Sequence, residues 1–378
     1  MTVSSASVRP MTLSWQHVLP LLAVTGALCA WGSWRDPQHF FPAYLVAYLF
    51  WLSITLGCLA IAMLHQVTGG AWGFPIRPFA HASALNIVWM AILFLPLMID
   101  MQTLYIWARP DVIAADELLR RKTRYLNVPF WQIRAAGYFV IWTVLAFLIK
   151  SWTAPTSRRS ERTVARLGAV GLVLWGLTTT FSSIDWVMSL EPHWASSMFG
   201  VLFMGAQAVA GMSFMIVAAS RWSRPAGDSV AVSEWHDLGN LLLGFMIFWS
   251  YVTLMQFLII WSGNLPEEAG AYTIRAQGVW GWLAILLAVF HFFVPFALLL
   301  RRQIKRESPW LARVAGMLLV MRLVDLAWLV LPTFSTTWIT WAWLAVSTVA
   351  IGAVWLLAFN WQLSRGPWPQ TESSLGVT

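Results

Sequence analysis

Ten long apolar stretches, separated by short polar segments, account for most of the chain. Each is close to the length of about 20 mostly apolar residues that a helix needs to cross the hydrocarbon core of a bilayer. Backbone polar groups cannot bind water in lipid, so these stretches are predicted to be helices. The ten predicted spans are residues 15–33, 43–64, 81–107, 129–150, 163–189, 196–220, 237–262, 276–300, 310–331 and 338–360. The pattern therefore predicts an all-α, polytopic membrane protein that forms one integral membrane domain over residues 1–378.

The composition excludes most other classes of protein. Of the 378 residues, 59% are hydrophobic and 11% are charged, whereas soluble domains carry about 25% charged residues. A disordered chain, a collagen, a disulfide scaffold and nearly every water-soluble enzyme are therefore excluded.

Lysine and arginine predict the orientation in the membrane. Fifteen of the 24 fall at the two termini and in the loops on the same side as the termini, eight fall in the opposite loops, and Arg322 lies inside a span. Basic residues are enriched in cytoplasmic loops, so both termini are predicted to be cytoplasmic. The basic residues lie between apolar segments, and the net charge of +8 therefore fits a membrane surface better than a nucleic acid.

Cysteine and histidine limit the redox chemistry that the chain can carry by itself. The two cysteines, Cys29 and Cys58, are too few for an iron–sulfur cluster, and no C-x-x-C-H motif for a c-type haem occurs. The histidines in or beside predicted spans are His65, His81, His236 and His291. They lack the spaced pairing that a bis-histidine haem requires. The sequence therefore predicts no covalently bound cofactor, with any metal centres on partner subunits.

An internal duplication relates the two halves of the chain. Residues 101–107 and 255–261 share the pattern M-Q-x-L-x-I-W, and residues 133–137 and 274–278 share I-R-A-x-G. The first offset of 154 also maps His39 onto His193, Gly57 onto Gly211 and Asn86 onto Asn240. An offset of 140 maps Asp185 and Pro192 onto Asp325 and Pro332.

These landmarks keep their order across four consecutive spans. We therefore predict a four-helix repeat over residues 39–192 (spans 2–5) and a second over residues 193–332 (spans 6–9), with spans 1 and 10 as peripheral helices. Four spans separate equivalent positions, so the two four-helix bundles share one orientation, as in the parallel repeats of some transporters.

Ionisable side chains inside the predicted spans are the first candidates for function, because charges in lipid are costly and usually face an interior or a water-filled path. They are Asp100, Asp185, Arg322 and Asp325, all toward the outer half of the membrane, with Glu191 and His193 close by at the outer ends of spans. Arg322 and Asp325 are three residues apart and share one helical face.

Two interpretations of this polarity are open. In one, Arg322 and the aspartates neutralise each other and hold the helices together. In the other, the side chains form a proton path or an outer quinol pocket, because oxidation of a quinol releases two protons that need acceptors. Asp185, Glu191 and His193 are then the best acceptors.

One run of residues is similar to a known family. Residues 183–194, S-I-D-W-V-M-S-L-E-P-H-W, resemble a signature of a membrane subunit of alternative complex III, a bacterial quinol:cytochrome c oxidoreductase. Further matches are residues 236–240 (H-D-L-G-N), 261–268 (W-S-G-N-L-P-E-E), 291–296 (H-F-F-V-P-F) and 325–332 (D-L-A-W-L-V-L-P). The membrane subunit that these residues resemble is the one described as quinone-binding subunit 2. The resemblance covers about residues 40–360.

The resemblance implies ten spans in two four-helix bundles, akin to polysulfide-reductase-type membrane subunits, in the bacterial inner membrane. It implies a multihaem cytochrome, an iron–sulfur subunit and a sister ten-span subunit as partners, and contact with lipids and the quinone pool. Family members are commonly described as quinone-binding subunits, although the better-supported quinol pocket belongs to the sister subunit and members of this type are more often assigned to proton conduction or scaffolding. Asp185, Glu191 and His193 are the positions to which a site role carries over.

Two other functions fit the sequence. A secondary transporter would also show a parallel duplication and buried charges, although the half-helices around a midplane site that carriers often have are not evident. A purely structural anchor for extramembrane redox subunits would use the buried charges only for assembly.

Overall fold

The computed structural model describes residues 15–153, 157, 159–222 and 230–365. Its α-helices are α1 (Trp15–Arg35), α2 (Pro37–Thr68), α3 (Arg77–Ala84), α4 (Ile87–Ile99), α5 (Met101–Leu104), α6 (Pro110–Ala115), α7 (Glu117–Lys122), α8 (Val128–Trp152), α9 (Glu161–Trp186), α10 (Phe199–Trp222), α11 (Val232–Gly263), α12 (Pro266–Arg275), α13 (Gly278–Leu287), α14 (Val294–Leu300), α15 (Arg302–Arg306), α16 (Ser308–Val330) and α17 (Trp338–Arg365). These residues contain no strand, and the all-α prediction is confirmed for them.

Nine helical segments within the described residues are long and apolar enough to cross a membrane. They correspond to the second through tenth predicted spans. The first predicted span forms the 21-residue helix α1 but is not among the nine. Large apolar side chains such as Ile99, Trp282 and Phe293 are exposed on outer helix faces, as a lipid environment allows. The terminal segments, predicted to be cytoplasmic, lie outside the described residues.

Local sequence explains where several helices begin and end. Asn127 caps α8 by accepting a hydrogen bond from the Phe130 amide, 3.0 Å away, and Ser160 caps α9 in the same way. Helix α11 ends at Asn264, whose φ of 45° is left-handed and is tolerated best by asparagine and glycine. The polar caps of α8 and α9 satisfy backbone amides that a helix leaves free at its start.

The centre of the bundle is the pair α2 and α10. In the most apolar stretch of α2, 94% of the residues are buried, and in that of α10, 78% are buried. The helices cross at Gly57 and Gly211: a Cβ on Gly57 would lie 1.9 Å from the Gln207 carbonyl oxygen, and one on Gly211 would lie 2.4 Å from the Gly57 carbonyl carbon. Only glycine permits this backbone contact. The two glycines are the ones that the predicted duplication places in equivalent positions.

Helix α17 packs along α2 rather than at the periphery. The Trp355 indole donates to the Thr55 hydroxyl at 2.8 Å, and the Trp51 indole donates to the Thr348 carbonyl oxygen at 3.0 Å. Asn86, at the break between α3 and α4, donates to the Trp355 carbonyl oxygen at 2.9 Å. Buried indole and amide groups need such partners, so the tenth span is part of the packed bundle. Helix α1 lies outside it, against α17 and α2.

Two contacts between distant parts of the chain mark the two ends of the bundle. At one end, called the Asp185 end, the Tyr105 hydroxyl donates to the Trp186 carbonyl oxygen at 3.1 Å. At the other, called the His81 end, Lys305 donates to the Asn240 side chain at 2.6 Å. The charge distribution predicts that the His81 end is cytoplasmic.

Candidate functional site

The six side chains singled out in the sequence lie in five different settings. Asp185 is enclosed at the end of α9, Glu191 borders a cleft, His193 is on the surface, Arg322 and Asp325 are paired inside the bundle, and Asp100 caps a short helix. The chain turns sharply after Trp186 through the 3-10 turn Met188–Leu190, so residues close in sequence point in different directions.

Asp185 is completely buried, and its carboxylate receives three hydrogen bonds. The Arg134 guanidinium binds both carboxylate oxygens, at 2.8 and 2.9 Å, and the Tyr138 hydroxyl donates at 2.7 Å. Arg134 is held between the rings of Tyr125 and Phe130, with its Cζ 3.9 and 4.3 Å from their centroids. Two-point binding by arginine is among the strongest hydrogen-bonding arrangements available to a carboxylate.

The main chain around Asp185 is also fixed. The Trp131 indole and the Ser189 hydroxyl both donate to its carbonyl oxygen, at 2.9 and 2.6 Å. The carboxylate and the carbonyl of this residue are therefore engaged by α8 and by the turn after α9. This geometry favours the interpretation in which Asp185 joins two helices.

Glu191 lies at the border between the interior and the surface, with 20% of its side chain exposed. Arg275 donates to Oε1 at 2.5 Å and the Thr333 hydroxyl donates to the same oxygen at 2.9 Å. The guanidinium also donates to the carbonyl oxygens of Ala271 and Leu329, both at 2.6 Å. Among the described residues Oε2 has no hydrogen-bond partner, so one oxygen of this carboxylate is available to a ligand.

A cleft with about 370 Å³ of empty space, including its open mouth, lies beside Glu191. Aromatic side chains form much of its wall. The lining residues are Val187, Met188, Glu191, Trp194, Phe199, Gln256, Ala271, Tyr272, Arg275, Trp328 and Leu329. A half-open, largely apolar cleft with a small number of polar groups is the kind of site at which small molecules bind.

Tyr272 gives this cleft a hydrogen-bond donor. The Ser196 hydroxyl donates to Gln256 Oε1 at 3.0 Å, and Gln256 Nε2 donates to the Tyr272 oxygen at 2.9 Å. Tyr272 lies on α12, outside the candidate spans. Burial raises the pKa of its hydroxyl. The phenol therefore keeps its proton, which no described residue accepts, and it can donate that proton to a ligand.

Arg322 and Asp325 form an ion pair on one face of α16, as their spacing predicts. Arg322 also donates to the Ser53 hydroxyl of α2 at 3.3 Å. The pair therefore neutralises itself within one helix and ties that helix to the centre of the bundle.

His291 lies between α13 and α14, in the candidate span that they share. Its ring is 4.1 Å from the Trp249 ring, and among the described residues neither of its ring nitrogens has a hydrogen-bond partner. It occupies a π-helical segment four residues before Pro295. A proline ring clashes with the carbonyl four residues earlier, which explains the local widening.

His193 is mostly exposed and turns away from the other two predicted acceptors. Its Nε2 lies 2.7 Å from Asp116 Oδ2, and Lys122 donates to the neighbouring Pro192 carbonyl oxygen at 2.6 Å. The hydrogen bond from the Leu119 backbone amide lowers the pKa of Asp116, and the contact with His193 lowers it further. The contact fastens the loop of residues 109–127 to the segment that follows α9.

Asp100 does not lie inside a span. Helix α4 ends at Ile99, and the Asp100 carboxylate accepts hydrogen bonds from the Thr103 amide at 3.3 Å and from the Thr103 hydroxyl at 2.6 Å. Aspartate is a preferred N-cap residue. The prediction of one span over residues 81–107 is therefore wrong at its end, because Asp100 terminates the helix by capping the next turn.

The sequence-based candidates omit five side chains that line or hold the site: Arg134, Tyr138, Tyr272, Arg275 and Thr333. The two I-R-A-x-G motifs contain Arg134 and Arg275 and could have identified both arginines. Tyr138 and Thr333 carry no motif, because their roles depend on helix packing.

Comparison with known protein families gives no match, and no characterised protein sequence is similar to the chain at a significant level.

Proposed function

We propose that this chain is an integral membrane subunit of a quinol:cytochrome c oxidoreductase of the alternative complex III type, and that the Glu191 cleft accepts a quinol head group. The observation that carries the proposal is the cleft itself, where a partly exposed carboxylate with one oxygen unengaged by the described residues faces aromatic walls. The same carboxylate lies in the sequence run that resembles the membrane subunit of that complex.

The polar groups of the cleft suit the removal of protons from a quinol. A general base must lie within hydrogen-bond reach of the proton that it removes. Glu191 Oε2 is the available acceptor, while Arg275 and Thr333 hold Oε1. Glu191 takes one of the two quinol protons, and the second leaves to water at the open mouth of the cleft. Tyr272 donates a hydrogen bond to the second oxygen of the head group. The two electrons leave to metal centres of partner subunits, and the chain contributes no covalently bound cofactor of its own.

The proposal includes the assembly implied by the resemblance: a multihaem cytochrome, an iron–sulfur subunit and a sister ten-span subunit in a bacterial inner membrane. It also includes the two four-helix repeats, with ten spans in all. The crossing of α2 and α10 at two equivalent glycines supports the repeats. The predicted orientation, with both termini cytoplasmic, puts the cleft on the periplasmic side.

A second candidate function, a structural anchor for the redox subunits, is favoured by the enclosure of Asp185. That carboxylate is fully buried, and its contacts join α8 to the end of α9. The two functions are compatible in one subunit, because they use different acids.

Replacement of Glu191 by Gln in the assembled complex tests the proposal. Loss of a general base typically costs about 10²-fold or more in rate, so the expected result is a fall of about 10²-fold in quinol:cytochrome c turnover with all subunits still present on a native gel. Glu307→Gln is the matched control, because Glu307 lies at the opposite end of the bundle and binds only Gln303 among the described side chains. An intact Glu191→Gln complex with the turnover of the control would refute the quinol site.

A further inference from the structure

A second cleft lies at the His81 end, between the last turns of α2 and the start of α3. It holds about 210 Å³ of empty space. His65, Gln66, Arg77 and His81 provide its polar lining, and Gly73 allows the His65 ring to lie against the connecting turn. This cleft is smaller than the Glu191 cleft, so it suits a compact group better than a quinone.

The ionisable side chains that line this cleft, among the residues that the structure describes, are all basic. Arg77, His65 and His81 line it, the charge of Lys150 acts on the same His81 imidazole, and none of the described lining side chains is acidic. The Arg77 guanidinium is fixed over the Phe74 ring, 4.6 Å from its centroid. A fixed guanidinium in an apolar setting binds phosphate and carboxylate groups strongly.

The Gln66 amide provides an independent indication of a ligand. Its Nε2 is buried and has no hydrogen-bond partner among the described residues. Leaving a buried donor unsatisfied is costly, so such a group calls for an acceptor that binds there. The side chain is held in place because α9 packs against it, with the ideal Cβ position of Gly168 only 3.2 Å from Gln66 Cβ.

We propose that this cleft binds an anionic phosphate group, with the Arg77 guanidinium and the Gln66 amide as its donors. The cleft lies at the ends of two candidate membrane spans, where basic pockets between helices bind the phosphates of anionic lipids. A phosphodiester of a lipid head group and a free phosphate share this chemistry. The proposal is independent of the quinol site, which lies at the opposite end of the bundle.

The test uses the full chain purified in a neutral detergent. Thermal unfolding is followed while either phosphatidylglycerol or inorganic phosphate is added, with sodium chloride at matched ionic strength as the blank. A ligand that binds only the folded state raises the unfolding temperature as its concentration increases. The variants are Arg77→Gln and Gln66→Leu. Arg302→Gln is the matched control, since Arg302 is an exposed arginine in the second half of the chain.

We expect wild type and Arg302→Gln to be stabilised equally, and Arg77→Gln to bind about tenfold more weakly, as loss of one charge-assisted contact implies. Gln66→Leu should be more stable than wild type without ligand, because the unsatisfied amide is gone, yet bind several-fold more weakly. Stabilisation by phosphatidylglycerol alone identifies a lipid phosphate, and an Arg77-dependent effect of inorganic phosphate identifies the free anion. Equal responses of wild type, Arg77→Gln and Gln66→Leu, or no response of wild type to either ligand, would overturn the proposal.

Discussion

The arginines of the two I-R-A-x-G motifs, Arg134 and Arg275, have different partners in the two halves of the molecule. Arg134 binds both carboxylate oxygens of Asp185 on the neighbouring helix. The proposed duplication makes Asp325 the counterpart of Asp185, but Asp325 pairs with Arg322 on its own helix. Arg275 reaches Glu191 instead, which belongs to the segment after α9.

One residue difference contributes to this change of partner. The offset that maps Asp185 onto Asp325 also maps Ser182 onto Arg322. Ser182 carries no charge and leaves Asp185 to Arg134, whereas Arg322 neutralises Asp325 one helical turn away. Arg275 can then bind an acid at the cleft. In the first half, the arginine of the motif forms a buried ion pair with Asp185. In the second half, the arginine of the motif binds Glu191 at the border of a cleft that is open to the surface.

Removal of the first arginine should produce the largest effect on stability. Arg134→Met leaves a fully buried carboxylate with only the Tyr138 hydroxyl, and breaking a buried pair in this way costs about 3–5 kcal/mol. Thermal or denaturant unfolding of the purified chain measures the loss. The double variant Arg134→Met with Asp185→Leu should recover most of it, because two apolar side chains need no partner. A single variant as stable as wild type would show that Asp185 does not depend on Arg134.

Removal of the second arginine should cost less stability and more activity. Arg275→Met loses hydrogen bonds to Glu191 and to two carbonyl oxygens, which we expect to cost about 2–3 kcal/mol. Glu191 is partly exposed, so water can replace the lost donor. Two measurements, unfolding and turnover at the proposed quinol site, separate the two arginines. In the proposed complex, Arg275→Met should lower the turnover, and Arg134→Met should not. If Arg134→Met and Arg275→Met had the same turnover per folded protein, the two arginines would not differ in function as we expect.

The sequence predicted the helices better than the partners of their charges. Apolar length located the candidate spans, and the spacing of Arg322 and Asp325 predicted their pairing because both lie on one helix. Arg134 and Asp185 are 51 residues apart, and nothing in a linear pattern shows which faces of α8 and α9 meet. Asp185, Glu191 and His193 were grouped because they are close in the chain, but the turn after Trp186 directs them to three different environments.

The crossing of α2 and α10 tests whether the halves meet symmetrically. Gly57→Ala and Gly211→Ala each place a methyl group against the backbone of the other helix, and overpacking of this kind should cost about 1–2 kcal/mol in each variant. The double variant should cost less than the sum, because the first alanine already separates the helices. Gly316→Ala, with open space around its Cβ position, is the control and should not destabilise the chain. Markedly unequal costs for the two glycines would argue against an axis between them.

The smallest expected effect concerns two histidines that the offset of 154 relates. His39 lies 2.7 Å from Asp36 at the start of its own helix, and His193 lies 2.7 Å from Asp116 in a distant loop. Asp116 also accepts hydrogen bonds from the amides of Leu118 and Leu119, at 2.8 and 3.2 Å, and thereby caps α7. His39 therefore contacts a residue at the start of its own helix, whereas His193 connects two segments that are far apart in the sequence.

The Leu119 amide, with His193 as a further contributor, lowers the pKa of Asp116 in the folded chain. The stabilisation of α7 is therefore present above the ordinary aspartate pKa and is lost as the pH falls through the lowered value. His193→Ala removes one cause of the lowered pKa, so the capped amides should lose hydrogen-exchange protection at a higher pH than in wild type. His39→Ala should leave that pH unchanged, because its aspartate caps no part of α7. If His193→Ala and wild type lost protection at the same pH, the backbone amides alone would set the Asp116 pKa, and the loop would be held by Lys122 and Pro192 instead.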